Sequence, residues 1–317
     1  MRGTALLKER LIERHNPGKK LKTWSWKLIR GILITGFCFI ILFPLFQRIS
    51  VAFRSKLDIY DPTVLWVPRH FTLDNIKFAI EATHYVSALW NTLWISSGTT
   101  IIQLFTCSLV AYAFARLRFW GSNVLFMLVI FTIIVPPQTI MIPVYMTFRY
   151  FDLFGLIPLL TGKHSLNLID TFWPFLISSF TGMGLKNGLY IFIFRQFFRG
   201  IPKELEEAAY VDGAGIFMTF RRIIIPNTIP AIVTVLLFSF VWQWNDSYTV
   251  SLYLSQLKVL STSIMDMGAA VGKEPDPVYQ SMLLSTGVLL VTGPLVIMYL
   301  FAQRYFVESV ERTGIIG

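Results

Sequence analysis

The chain has 317 residues, of which 54% are hydrophobic and only 15% charged, and its formal net charge is +10. A soluble domain carries roughly 45–50% apolar and about 25% charged residues, so the composition excludes an ordinary soluble domain and points to a multi-span membrane protein. Excess positive charge also suits a nucleic-acid binder, but here the basic residues collect at the ends of apolar runs and need no nucleic acid to explain them.

Residues 1–27 form a basic segment with Arg2, Lys8, Arg10, Arg14, Lys19, Lys20, Lys22 and Lys27. Leu6, Leu7, Leu11 and Ile12 fit a short amphipathic helix on the inner leaflet, and a solvated tail that sets topology fits equally. The first apolar run, 28–49, has no small-residue cleavage site after it and reads as a retained transmembrane helix. Residues 50–85 follow as an extracytoplasmic loop with Asp58, Asp61, Pro62, Pro68 and Asp74. Five more apolar runs, 88–115, 122–148, 172–198, 223–254 and 281–303, each approach the ~20 residues that span a bilayer as helix. The expected fold class is an all-α membrane protein of six transmembrane helices, with the core from 86 to 304 and a cytoplasmic tail over 305–317. Pro136, Pro137 and Pro143 are expected to kink or break the third run near its end. The fourth carries Gly182, Gly184 and Gly188, and the sixth Gly287, Gly293 and Pro294. The connection 255–280 reads as polar and outer. Cys38 and Cys107 lie inside apolar runs, which argues against a disulfide.

Lys and Arg are about twice as frequent on one side of the runs as on the other. By the positive-inside rule both termini and the 200–226 loop face the cytoplasm.

Catalytic signatures are absent. The string from Gly155 to Gly162-Lys163-His164 lacks the spacing of a phosphate-binding loop and has His where Ser or Thr would reach magnesium. His15, His70, His84 and His164 are dispersed and make no metal-ligand spacing. No nucleophile elbow occurs. The expectation is a non-enzyme with no cofactor and no metal.

The polar stretch between the fourth and fifth runs carries the strongest signal. Glu204, Glu206, Glu207 and Asp212 lie too close together for lipid-facing sequence. Pro202 suits the first helical position, Lys203 to Ala209 are mostly good helix formers, and Gly213 can end the helix by adopting positive φ. A second short helical run follows and Pro226 closes it. The result is a helix–Gly–helix element at the membrane surface, suited to docking a partner. Glu207-Ala208-Ala209, Asp212-Gly213-Ala214, Phe220, Ile223, Pro226 and Pro230 resemble the EAA loop of ABC importer permeases. Phe194 to Phe198, the Pro68 and Phe71 to Asn75 stretch, Asn91-Thr92, Ala111 to Arg116, Trp244-Asn245 and Gln303 to Val307 extend the likeness over residues 50–310. They are similar to the MalG-like half of carbohydrate importers. The tail departs from that pattern, with Glu308-Ser309 and Gly314-Ile315-Ile316-Gly317 where a glycine and a basic tail are usual.

The resemblance implies a type I importer permease fold, in which the loop is a coupling helix docking on an ATP-hydrolysing subunit. It implies four kinds of partner: a second homologous permease, two ATP-binding subunits, an extracytoplasmic solute-binding protein and the lipid bilayer. Glu207, Ala208, Ala209, Asp212, Gly213, Ala214 and Pro226 are the expected coupling residues. Lys186 lies about 18 Å from the inner end of its run at ~1.5 Å per residue, near the midplane, where a charge is costly unless it faces a pathway or partner. Lys186, Asn187, Trp242, Trp244, Asn245 and Asp246 are the candidate pathway residues, since indole faces stack on sugars and amides pair with hydroxyls. An ion pair between Lys186 and Asp246, or a shorter span that leaves Lys186 at the surface, fits as well. A secondary transporter driven through these charges, or an ABC permease for a non-sugar solute, stays open as an alternative.

Overall fold

The computed structural model describes residues 17–64, 66–153, 155–162 and 164–314, with side chains described between 24 and 303. The candidate amphipathic helix at Leu6 to Ile12 and the last three residues lie outside them. The chain divides into two units between Asn75 and Ile76.

In the first unit, helix α1 runs Pro17–Ala52 and is longer than the expected 28–49. Its Phe37, Ile40 and Ile41 are exposed. A helix apolar on its outer face suits lipid contact. The loop after it is folded rather than merely polar. Ser55 Oγ caps a 3₁₀ turn at Lys56–Asp58 by accepting from Leu57 N at 3.2 Å. Buried Asp58 accepts from His70 N at 2.9 Å and sits 2.6 Å from His70 Nδ1. Asn75 Nδ2 donates to Arg54 O at 2.8 Å and closes the segment.

In the second unit the helices are α2 (Asp74–Ala82, its first two residues belonging to the first unit), α3 (Tyr85–Arg116), α4 (Ser122–Ile134), α5 (Met141–Arg149), α6 (Leu156–Thr161), α7 (Trp173–Phe180), α8 (Asn187–Gly200), α9 (Glu204–Val211), α10 (Ile216–Asn227), α11 (Ile229–Asn245), α12 (Tyr248–Tyr253), α13 (Leu260–Val271) and α14 (Pro277–Gly314). No strand occurs among the described residues, only two isolated bridges. The long helix α3 is the centre, and α7, α8, α11 and α13 pack on it. Its buried face repeats at helical spacing: Ala88, Thr92, Ile95, Ser96, Thr99, Gln103, Cys107, Ala111. The core below joins Cys107, Ala111 and Tyr112 of α3 to Tyr190, Ile191, Phe194 and Phe198 of α8, with Phe220, Ile224, Ala231 and Val235.

The expected spans are less continuous than the apolar runs. The third breaks at Pro136-Pro137, as expected, and its two pieces meet at 102°. Pro136 is extended (ψ 130°) because a residue before proline avoids the helical region. The fourth, expected unbroken over 172–198, is two helices, α7 and α8, separated by Thr181 to Lys186 with positive φ at Gly182 and Lys186. The fifth, expected over 223–254, bends by 80° at Thr228 between α10 and α11 and ends in the separate α12. The connection 255–280 contains helix α13 and the start of α14.

Side chains close the breaks. Gln103 Nε2 donates to Leu185 O at 2.9 Å and Asn187 Oδ1 at 2.6 Å, while Ser239 Oγ donates to Gln103 Oε1. Pro294 has no N–H for the carbonyl of Leu290, four residues back in α14. Tyr85 Oη donates to that carbonyl at 3.0 Å, and Trp244 Nε1 donates to the next, Val291 O, at 3.3 Å. At the loop end, Asp170 accepts from Ser255 N at 2.6 Å and Gln256 N at 3.0 Å. The Gln256 N–H holds this carboxyl below the usual carboxylate range, helped by Ser255 against the effect of burial.

Helix α4 buries none of its side chains and meets α8 at Gly188, where an added Cβ would lie 2.4 Å from Thr132 Oγ1 and 3.0 Å from Val129 O. Gly188→Ala is therefore expected to force α4 and α8 apart and to cost about 1–3 kcal/mol. Gly293→Ala meets nothing within 4 Å and is expected to leave stability unchanged, as read by thermal unfolding of the purified protein.

Candidate coupling surface and pathway face

The polar stretch folds as a capped helix. Glu204, Glu206 and Glu207 occupy the first turn of α9, where acidic groups complement the helix dipole. The helix begins at Glu204, so Pro202 precedes it rather than starting it. Gly213 has φ +82°. Ala214 N donates to Ala209 O at 2.9 Å and Gly213 N to Tyr210 O at 3.1 Å, which is the Schellman arrangement of a helix end. Gly213 is the residue type that takes this left-handed backbone without strain. Helix α10 then leaves at once, passes through a π turn at Phe220–Ile224 and reaches the bend after Asn227. Asn227 Nδ2 and Thr228 Oγ1 donate to the carbonyls of Ile223 and Ile224 there.

The two faces of α9 differ. Outward stand Glu204, Leu205, Glu207, Ala208, Tyr210, Val211 and Asp212, with Val211 87% exposed. Ile216, Phe217 and Met218 of α10 extend this surface, Pro226 is exposed, and Ala214 is half-buried. It combines acid and apolar groups, and among the described residues no element covers it. Inward stand Glu206 and Ala209. Glu206 Oε1 lies 2.7 Å from Arg116 Nε, and the two side chains are 8% and 6% exposed. The approach lies off the N–H direction, so this is a charge pair rather than an aligned hydrogen bond. Arg116 Nη2 donates to Ile201 O at 2.5 Å, and Tyr112 Oη reaches Glu206 Oε2 at 3.5 Å. Tyr112 also packs on Phe220 at 5.0 Å and edge-on to Phe198 at 6.1 Å between ring centroids. Sequence reasoning assigned no role to Glu206 or Arg116. The available signal was the spacing of Glu206 and Ala209, three apart and so on one helix face.

The pathway candidates separate into two groups. Lys186 is exposed at the start of α8, with φ 61° and its Nζ 5.4 Å from the centre of the Trp242 ring. That geometry suits a cation–π contact. Asn245 is exposed, and it lies three residues from Trp242 on the same side of α11. Asn187, Trp244 and Asp246 are buried within this chain. Asn187 serves the Gln103 cluster and Trp244 serves α14. Asp246 accepts from Tyr248 N and Thr249 N, both at 3.1 Å, and so caps α12. Lys186 and Asp246 form no ion pair, so the charge coupling considered from the sequence has no counterpart in the geometry. Among the described residues, no group of three or more His, Cys, Asp or Glu is placed to hold a metal.

The profile of the family described as binding-protein-dependent transport system inner membrane component matches residues 105–312, which include α8 to α11 and the capped helix between them. The chain belongs to this family. It is 29% identical over 302 residues to the osmoprotective compounds uptake permease protein GgtD of Synechocystis sp., covering 93% of this chain and 94% of that protein. It is 28% identical over 299 residues to the arabinooligosaccharides transport system permease protein AraQ of Halalkalibacterium halodurans, covering 92% and 97%. Among solved structures, a crystal structure of a bacterial ABC transporter involved in the import of the acidic polysaccharide alginate superposes with a TM-score of 0.69. It covers 89% of this chain and 96% of that one at 19% identity, so it shares the fold. The likeness to carbohydrate-branch importer permeases is borne out, as are the helical membrane fold and the transport role.

Trp244→Phe tests the placement of that indole. Loss of the indole N–H that donates to Val291 O is expected to cost about 0.5–1.5 kcal/mol in thermal unfolding, with the concentration dependence of uptake unchanged.

Proposed function

We propose that this chain is one permease subunit of an ATP-driven, binding-protein-dependent importer for a sugar or oligosaccharide. Its partners are a second homologous permease, two ATP-binding subunits and an extracytoplasmic solute-binding protein in the cytoplasmic membrane of a bacterium. The observation that carries the reading is the two-faced helix α9, with Glu207, Val211 and Asp212 outward and Glu206 tied inward. A surface of that kind, joined on each side to a membrane helix, suits a docking element that receives motion. ATP closure in the partner subunits supplies the work, and this chain passes it on as alternating access. The chain itself carries no nucleotide-binding motif, in keeping with hydrolysis elsewhere. The sugar assignment is supported by relatives named for arabinooligosaccharides and for trehalose transport. The relative named for osmoprotective compounds supports a small polar solute as the second reading.

The topology proposed is six spans with both termini cytoplasmic. Among the described residues three helices are long and apolar enough to cross, and two bent pairs, α4 with α5 and α10 with α11, add two more if each is one span. The sixth is α7 and α8 joined through Thr181 to Lys186. Lys186, Trp242 and Asn245 form the proposed solute-facing group, with the indole face and amide offered to sugar rings and hydroxyls.

The test is uptake in proteoliposomes holding the assembled importer and its binding protein. Gly213→Pro cannot adopt the observed positive φ. It is expected to cut solute uptake per ATP hydrolysed tenfold or more. Lys186→Ala with Asn245→Ala is expected to lower uptake several-fold at normal assembly. Unchanged uptake in that pair removes the pathway assignment, and ATP-independent uptake by the wild type removes the importer reading.

A further inference from the structure

We propose that the buried Arg116–Glu206 pair is a positioning joint that makes α3 the span driven by the docking helix. This rests on the importer reading above and goes further by naming the internal linkage. A side-chain ion pair at a membrane surface has water within reach, yet this one is almost fully enclosed. Burial removes most of the energetic advantage of an ion pair, since apolar residues of the same volume often stabilise as well or better. What the pair adds here is placement, because the same guanidinium is held by the Ile201 carbonyl.

Three chain segments meet at one guanidinium. Arg116 is the last residue of α3. Its Nη2 holds the carbonyl of Ile201, just past α8, and its Nε faces Glu206 in the first turn of α9. One turn back, Tyr112 fills the angle between Phe198 of α8 and Phe220 of the π turn. Arg195 of α8 adds a second tie, its Nε donating to Phe114 O at 3.3 Å. A displacement of α9 therefore has no slack to take up before it reaches α3.

From Arg116 the helix runs unbroken to Gln103, about 20 Å away at ~1.5 Å per residue. Gln103 holds Leu185 and Asn187 at the break that carries Lys186. The joint thus connects the outward surface of α9 to the break in the fourth span through one continuous helix. Glu207, next in sequence to Glu206, points outward and takes no part in it.

The measurement is uptake per ATP hydrolysed by the assembled importer in proteoliposomes. In Glu206→Leu with Arg116→Met the volume is kept and no charge is left alone. The ratio is expected to fall tenfold or more at wild-type levels of assembled complex. The swapped pair, Glu206→Arg with Arg116→Glu, is expected to recover at least a third of it. Should the apolar pair fail to assemble, Glu206→Gln decides by the same ratio. A wild-type ratio in the apolar pair, or uptake and hydrolysis falling together in proportion, overturns the joint. Val211→Asp on the outward face separates the two levels. If it uncouples while the apolar pair does not, the docking reading stands and the joint is wrong. If the wild type shows no ATP-driven uptake, both are wrong.

Discussion

The constraint on which the structure depends is that backbone polar groups inside a membrane have to be satisfied within the protein. Three of the apolar runs are broken or sharply bent, at Pro136-Pro137, at Thr181 to Lys186 and at Thr228, and α14 carries Pro294. Freed carbonyls at several of these places have a named side-chain donor. Gln103 takes Leu185, Tyr85 takes Leu290, and Asn227 and Thr228 take Ile223 and Ile224. Gln103 and Tyr85 both belong to α3, the helix on which α7, α8, α11 and α13 pack.

The same logic divides the functional residues. A polar group that completes a break is buried and fixed, as with Asn187, Trp244 and Asp246. One that faces away from the core, as with Lys186 and Asn245, is exposed in this chain. On α9 the division falls between adjacent residues, Glu206 inward and Glu207 outward. Breaks and bends are also where a helical bundle can change shape at low cost, since the backbone there is held by a few side-chain bonds rather than by a full ladder. The π turn before the Thr228 bend puts such a place directly beside the proposed coupling surface.

Much of this was legible in the sequence. The apolar runs, the break at the paired prolines and the capped helix ending at Gly213 follow from local chemistry, because proline and glycine act on their own backbone. The break in the fourth run was not, although Gly182 and Gly184 were visible. An apolar composition is shared by a continuous helix and by a broken one, and what stabilises the break is Gln103, distant in sequence. The burial of Trp244 was hidden for the same reason, since its acceptor, Val291 O, lies on another helix. Glu206 and Glu207 are the same residue type, and beyond the spacing of Glu206 with Ala209 it is the position of Arg116 that distinguishes them. The helix α13 was read as polar loop because its buried residues, Leu260, Ser263, Met267 and Val271, are sparse among small and polar neighbours.

The central claim is that the outward face of α9 meets an ATP-binding subunit. Its most direct test is thiol crosslinking from Val211→Cys in the assembled importer, with exposed Cys38 replaced by Ser and buried Cys107 retained. The expected result is a crosslink to the ATP-binding subunit whose yield changes between nucleotide-free and ATP-bound states. A fully assembled, transporting complex that gives no such crosslink at Val211, while Trp120→Cys on the α3–α4 turn does, would contradict it.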